Sequence, residues 1–181
     1  MSLFSDIQSQ LSGQGGQPPL HLWNPALSGD IDIQIRTNGD WYHDGQLIQR
    51  HALVKLFASI LRREDDDEYY LVTPVEKWRI QVEDAPLLII SMELIDPDTP
   101  QQAIIFTSNV ERLYSLGAEH RLIVEVGKDD QQPAPYLLLD NGLRAKLTRS
   151  VFYQLVDIAR PEDNVLRVYS NQEYFELGQL E

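Results

Sequence analysis

The reading of the fold turns on Arg50-His-Ala-Leu-Val-Lys-Leu-Phe-Ala-Ser-Ile-Leu-Arg-Arg-Glu-Asp-Asp-Asp-Glu-Tyr-Tyr-Leu-Val-Thr-Pro-Val-Glu-Lys-Trp-Arg-Ile-Gln-Val82. Leu53, Leu56, Phe57, Ile60 and Leu61 recur at the spacing that gathers apolar side chains on one face of an α-helix, which predicts a helix from Arg50 to Arg63. The acids Glu64-Asp-Asp-Asp-Glu68 end it and read as a solvated helix end. Acids there oppose the partial negative charge of a helix C-terminus. Arg62 and Arg63 offset this, and the alternative is that one acid turns inward to meet an arginine. Tyr69 to Thr73 and Glu76 to Val82 then read as two strands joined at Pro74.

Towards the N-terminus, Ile31, Ile33 and Ile35 alternate with Asp32, Gln34 and Arg36, the signature of a half-buried strand. Thr37-Asn-Gly-Asp40 is a turn, because Asn and Gly tolerate positive φ. Trp41-Tyr42 starts a second strand and Asp44-Gly45 turns again. Further out, Gly13-Gln-Gly-Gly-Gln17 and Pro18-Pro19 form a flexible joint. Before it, Leu3, Phe4, Ile7 and Leu11 lie on one side of a short helix that Ser2 or Ser5 caps. A helix that short persists only when docked, so it reads as a docked arm, with partner binding as the alternative.

Towards the C-terminus, Pro86 to Leu94 is a strongly apolar strand and Asp96-Pro-Asp-Thr-Pro100 a turn. Ala103 to Thr107 and Arg121 to Gly127 are strands, Asn109 to Leu116 one or two helical turns, and Lys128 to Pro135 a polar loop. Tyr136 to Asp140 is a strand, Asn141-Gly142 a turn, and Arg149 to Arg160 a helix carrying Phe152, Leu155, Val156 and Ala159 on one face. Pro161-Glu-Asp-Asn164 breaks that helix, and Val165 to Tyr169 and Glu173 to Leu177 close the chain as strands. This end repeats the beginning. Arg50 aligns with Arg149, Leu56 with Leu155, Phe57 with Val156, Glu76 with Glu173 and Trp78 with Phe175, and Glu64-Asp65 with Glu162-Asp163 one position out. The fold expected is α+β, built from two similar strand-turn-helix-strand-strand units.

Composition narrows the function. Net charge is −13, with 15 basic against 28 acidic residues. Neutralising phosphates takes an excess of Lys and Arg, so neither nucleic acid nor an anionic membrane surface is expected as a partner. No cysteine is present, which excludes thiolate metal sites, a Cys nucleophile and disulfides, and is consistent with a reducing, cytoplasmic setting. No stretch reaches the roughly 18 apolar residues of a membrane span. His21, His43, His51 and His120 fall in no ligand-spaced cluster, so no metal site is expected. No phosphate-cradling glycine loop or nucleophile elbow occurs, and no cofactor is expected. The densest aromatic and arginine grouping is Trp41, Tyr42, Tyr69, Tyr70, Trp78 and Arg79, types enriched both at binding hot spots and in pleated cores.

Several longer segments have a family look. These are Leu22-Trp-Asn-Pro25 with Gly29-Asp-Ile-Asp-Ile33, Gly39-Asp-Trp-Tyr-His-Asp-Gly45, Leu53 to Asp65, and Tyr70-Leu-Val-Thr-Pro-Val-Glu-Lys77. Val82-Glu-Asp-Ala-Pro86, Ile105-Phe-Thr-Ser-Asn109, Pro135-Tyr136 and Arg149-Ser-Val-Phe-Tyr153 continue the series. From about Trp23 onwards the chain resembles the bacterial family of domain of unknown function 1285. The resemblance implies two α+β domains, the second pleckstrin-homology-like: a curved antiparallel sheet or partial barrel with a helix. It also implies a ligand site between the domains and a role in signal transduction. It carries no catalytic residues. The motif positions with polar or aromatic chemistry are Trp41, Tyr42, Arg50, Arg62, Glu64, Tyr70, Glu76 and Lys77. The loop from Asp96 to Gln101 holds two acids and no base, so phosphoinositide binding is not expected.

The expected organisation is an N-terminal helix and linker over residues 1–22, a domain over 23–84 and a second domain over 85–181. The expected function is non-catalytic binding of a small molecule or protein where the domains meet. There Arg50 or Arg62 would orient an anion, and Tyr42 and Tyr70 would supply contact area. The rivals are a hydrolase or transferase using carboxylates such as Glu64 and Glu76, and a scaffold working through the N-terminal helix or an exposed edge strand.

Overall fold

Period-two alternation of apolar residues dominates the chain, and against the α+β class expected the computed structural model is accordingly mostly β with few helices. It describes residues 3–11 and 17–180, so the expected joint at 13–16 and a cap at Ser2 lie outside the described residues, as do the side chains of Leu3 and Phe4. Two compact units divide it, residues 1–86 with 141–143, and residues 87–140 with 144–181.

The first unit contains α1 (Leu3–Leu11), β1 (Leu27–Ile35), β2 (Trp41–His43), β3 (Gln46–Leu47), α2 (His51–Ser59), β4 (Leu61–Arg63), β5 (Tyr69–Val72) and β6 (Lys77–Val82). Its strands form one sheet in the order β3-β2-β1-β6-β5-β4. Each consecutive triplet is an antiparallel meander, and the two meanders join where β1 runs parallel to β6, from Leu27 opposite Lys77 to Ile35 opposite Val82. Ile33, Ile35, Trp41, Phe57, Leu71 and Ile80 fill the core. Ile7 and Leu11 of α1 are buried too, so its apolar side is docked.

The second unit contains β7 (Leu87–Ile95), β8 (Ala103–Ser108), β9 (Leu113–Ser115), β10 (Leu122–Val126), β11 (Pro133–Leu138), β12 (Arg144–Leu147), α3 (Arg149–Ile158), β13 (Arg160–Glu162), β14 (Val165–Ser170) and β15 (Glu173–Gln179). A six-strand sheet runs β10-β11-β12-β7-β8-β9, with β12 parallel to β7, and β13-β14-β15 form a separate antiparallel sheet. The two six-strand sheets share one connectivity: three strands, then three strands whose last lies parallel to the first. No closed barrel forms among the described residues.

Four expectations need correction. The helix predicted to reach Arg63 stops at Ser59, and Leu61–Arg63 is a strand. Ile60 and Leu61 are buried as the periodicity requires, but Leu61 is opposite Leu71 in a ladder, and that pairing outweighs helix propensity. The run from Glu64 to Glu68 is therefore a hairpin turn, closed by the Glu64 amide on the Glu68 carbonyl with Asp67 at φ 64°, and no helix end is there to repel its charge. Asn109 to Leu116 is no helix but a turn, with Glu111 at φ 61°, leading into β9. The polar loop predicted to reach Pro135 ends earlier, because β11 starts at Pro133. The repeat of helix followed by strands is present as α2-β4-β5-β6 and α3-β13-β14-β15, yet the first set is built into a six-strand sheet and the second stands alone.

Candidate functional site

Alternation along β4, β5 and β6 brings Arg62, Tyr70 and Arg79 opposite one another, and the turn after β4 returns Glu64 towards them. Four of the eight candidate residues meet here. Glu64 accepts from Arg62 Nε at 3.1 Å and Nη2 at 2.5 Å, and from Lys77 Nζ at 2.7 Å. The Lys77 ammonium lies 4.8 Å from the centre of the Tyr70 ring, and the Tyr70 hydroxyl donates to Asp66 at 2.5 Å. Partial burial pushes the Glu64 carboxyl up, but the hydrogen bonds from Lys77 and Arg62 outweigh it and hold the group below its ordinary value. The bond to Asp66, helped by burial, raises the Tyr70 phenol to about 12. A carboxylate held ionised by two cations is the opposite of a general acid. Arg62 also spends Nη1 on the Leu20 and Trp23 carbonyls, at 3.0 and 2.8 Å, so its guanidinium clips residues 20–23 to the sheet. Four of the five guanidinium N–H donors of Arg62 are engaged in these bonds.

The other four candidates do not join them. Trp41 is buried and stacks on Phe57 with ring centres 6.1 Å apart. Tyr42 lies beneath the Arg36 guanidinium at 3.9 Å. Arg50 precedes α2 with an exposed side chain, and its carbonyl accepts from the Leu53 and Val54 amides. Glu76 closes the tight turn from Thr73, its amide bonded to the Thr73 hydroxyl at 3.0 Å.

A different arrangement appears in the second unit. Strand β10 ends one sheet and β15 ends the other, and no ladder joins them. The residue before β10 and the first residue of β15 are drawn together where Arg121 Nη1 meets the Glu173 carboxylate at 2.9 Å. Beyond that point they wall a groove of about 690 Å³, with Val124 and Val126 on one side and Tyr174, Glu176 and Gly178 on the other. The size is that of a ligand cleft. Phe175 and Leu177 are buried beside it, whereas Val126 and Tyr174 are 67% and 63% exposed. A Cβ added to Gly178 would meet nothing within 4 Å. Tyr174 also lines an adjoining hollow of about 540 Å³ with Pro97, Pro100 and Tyr169. The β14–β15 hairpin is held by Ser170, whose hydroxyl accepts from the Ile104 amide and donates to the Leu116 carbonyl, and by Asn171, which donates to Leu116.

The main chain along this groove has a readable orientation. Leu138 N–H donates to the Arg121 carbonyl and Gly127 N–H to the Gln132 carbonyl, so Arg121, Ile123, Glu125 and Gly127 bond towards β11. The peptide groups of Leu122, Val124 and Val126 point the other way. On β15 the two-residue turn Asn171-Gln172, with φ 49° and 64°, makes Ser170 and Glu173 a hydrogen-bonded pair. Phe175 then bonds to β14, while Tyr174 and Glu176 face away. In agreement, the Tyr169 carbonyl opposite Tyr174 accepts from Gln102 Nε2 instead. None of these groove residues stood among the sequence candidates. Both strands were legible there, but side-chain alternation says nothing about which backbone edge is left open.

Fold and groove together define a mostly β protein of two compact units, each built on a six-strand sheet of the same connectivity, the second with a further three-strand sheet whose edge strand β15 lines a groove with β10. The chain belongs to the family of domain of unknown function 1285. That family's N-terminal domain matches residues 18–85, and its C-terminal domain matches residues 86–177. A DUF1285 family protein from Silicibacter pomeroyi DSS-3 is 37% identical, over 94% of this chain and 93% of that one, with a TM-score of 0.87. A DUF1285 family protein from Shewanella baltica OS155 is 36% identical, over 70% of this chain and 91% of that one, with a TM-score of 0.54. No curated protein matches the chain. Among the described residues no helix is long and apolar enough to cross a membrane.

Proposed function

We propose that this protein is a non-catalytic, cytoplasmic binding module whose binding element is the groove between β10 and β15. One observation carries the reading: two sheet edges, unpaired on the sides that face each other, enclose about 690 Å³ within one unit. Polar groups left without partners in a concave site are what a ligand satisfies. The rival reading of a carboxylate hydrolase or transferase needs two carboxylates facing each other in a pocket, with shifted pKa values. Glu64, one of its two candidates, faces Lys77 and Arg62 instead. The pleckstrin-homology-like reading of the second unit belongs to the same proposal. A six-strand sheet, a three-strand sheet and one helix are the parts of a partial barrel, and the groove is its open seam. A role in signal transduction follows if the ligand belongs to a regulated partner.

The test is a thermal-shift screen of metabolites, nucleotides and pooled random peptides against the wild-type chain and Gly178→Trp. A ligand at 100 times its dissociation constant adds about 2.7 kcal/mol of stability. The expected result is a stabilising compound or peptide whose effect disappears in Gly178→Trp. Stabilisation that survives filling of the groove would place binding elsewhere and remove the proposal.

A further inference from the structure

A separate pocket of about 240 Å³ lies in the second unit where β12 runs into α3, and it shares only Pro133 with the groove. The local sequence builds it. Strand β12 ends at Leu147, and the amide of Thr148 donates to the Ile89 carbonyl at 3.1 Å. The Thr148 hydroxyl accepts from the Val151 amide at 3.5 Å and caps α3. Arg149, Phe152 and Tyr153 then follow at the spacing of one helix face, next to Lys146 on the strand, and all four line the pocket. The loop after β10 closes the other side. Gly127 N–H donates to the Gln132 carbonyl at 2.7 Å, and Asp130 Oδ1 accepts from the Gln132 amide at 3.0 Å. A Cβ on Gly127 would stand 2.7 Å from Asp130 Oδ1, so the loop folds this tightly only over a glycine.

We infer that this pocket binds a small monocarboxylate with a flat, ring-shaped apolar body. The site is additional to the groove and does not rest on it. Its charged lining consists of Lys146, Arg149 and Asp130, two cations against one acid. That local balance is positive in a chain that carries −13. A ligand with one negative charge neutralises it, whereas a dianion would meet Asp130 and the field of the whole chain. The guanidinium of Arg149 is a planar fork that matches the two oxygens of a carboxylate.

Arg149 has the donors to spare. Its Nη2 meets Asp130 Oδ2 at 3.5 Å, with the two side chains 70% and 55% exposed, and this is its one partner among the described residues. A charge-assisted bond of full strength is about 2.7–2.9 Å long, so a ligand carboxylate gains a two-pronged contact without breaking a strong one. Asp130 keeps its bond to Gln132 through the other oxygen, and the loop stays closed. Lys146 supplies the second cation from the strand, its ammonium 5.7 Å from the centre of the Tyr136 ring. The rest of the lining sets the body of the ligand. Pro133, Pro135, Leu147, Phe152 and Tyr153 present ring faces and aliphatic surface. The volume is below the roughly 300–1,000 Å³ of clefts for drug-sized ligands, which suits a single or fused ring and excludes a nucleotide.

The experiment titrates the full ¹⁵N-labelled chain with benzoate and indole-3-acetate, with the neutral benzamide and indole-3-acetamide, and with phenyl phosphate, and reads amide chemical shifts. The expected result is saturable shifts at Gly127, Gln132, Arg149 and Tyr153, with a carboxylate binding at least tenfold more tightly than its amide and than phenyl phosphate. Arg149→Gln, an exposed position that tolerates change, is expected to weaken the carboxylate at least tenfold and leave the amide within twofold. Lys146→Met, which keeps the apolar stem, is the second variant and is expected to act in the same direction. Gly178→Trp is expected to leave binding within twofold of wild type. Equal affinity for carboxylate and amide, or tighter binding of phenyl phosphate, would overturn the ligand class. Absence of saturable shifts at these amides with every probe in the millimolar range would overturn the site. Shifts centred on Val124 and Gly178 that vanish in Gly178→Trp would overturn this inference and support the groove reading.

Discussion

The junctions β1/β6 and β10/β15 are built from the same order of elements and end differently. At the first, the chain zips: Gly29, at φ 144°, lets the Trp78 ring approach to 3.4 Å of where a Cβ would stand, and Arg79 bridges to Asp30 at 2.8 Å. At the second, the repeat puts Phe175 at the place of Trp78, the ion pair sits only at the mouth, and a bulge bends β15. The difference teaches that meander order sets which strands become neighbours, while the close packing of a few side chains decides whether they bond. A sheet ladder needs both strands near each other over several residues. One glycine under a tryptophan supports that at β1/β6, where the ladder forms even though its register shifts between Leu27 and Gly29 and again between Asp30 and Gln34.

Truncating the zipped side gives the largest expected effect. Ile35 is fully buried in β1 between Trp41 and Val82, so Ile35→Ala is expected to cost about 2–5 kcal/mol in urea unfolding. Val124→Ala on the open side is expected to cost under about 1.5 kcal/mol, since the residue is only half-buried. Equal costs would mean that the groove is packed as tightly as the ladder.

Glycine substitution sharpens the contrast. Gly29→Val forces a β-branched residue into a left-handed backbone against Trp78, and an expected loss of about 1–3 kcal/mol follows. Gly178→Val meets nothing within 4 Å and is expected to stay within about 0.5 kcal/mol of wild type. Thermal melts of the two variants side by side read this directly.

The smallest effects are in pH dependence, and they belong to the zipped side. Glu64 is held below its ordinary 4.5, so its contribution is complete above that value and is lost as pH falls through its folded value. The Tyr70 phenol is raised from 10.0 to about 12, so its contribution is complete below pH 10.0 and is lost as pH rises towards about 12. Glu64→Gln is expected to flatten the acid limb of a stability–pH profile and Tyr70→Phe the alkaline limb. Gly178→Val is expected to leave both limbs as in wild type. Two unchanged limbs in the Glu64 and Tyr70 variants would show that the network contributes no linked stability.

The sequence was a good guide where local chemistry decides. Asn38-Gly39, Asp44-Gly45 and Asn141-Gly142 announced turns because few residues accept positive φ, and at each pair at least the glycine adopts it. The alternating isoleucines up to Ile35 announced a strand with one buried face. The helix boundary at Ser59 was not readable, because Ile60 and Leu61 continue the helical spacing and only their pairing with β5 and the approach of Val72 to the Ile60 carbonyl turn them into a strand. Of the eight candidate residues, Arg62, Glu64, Tyr70 and Lys77 come together, and their pairing was foreseeable only as the inward turn of one acid towards an arginine.

Composition and periodicity by themselves determined the prevalence of strands, the turns between them, the helices α2 and α3 and the repeated helix-and-strands order. These follow from side-chain chemistry within a few residues. The tertiary structure alone decided that β1 bonds to β6 and β7 to β12 while no ladder joins β10 to β15. Backbone donors and acceptors are the same in every residue, so no sequence pattern marks which of them remain unpaired once the sheets have formed.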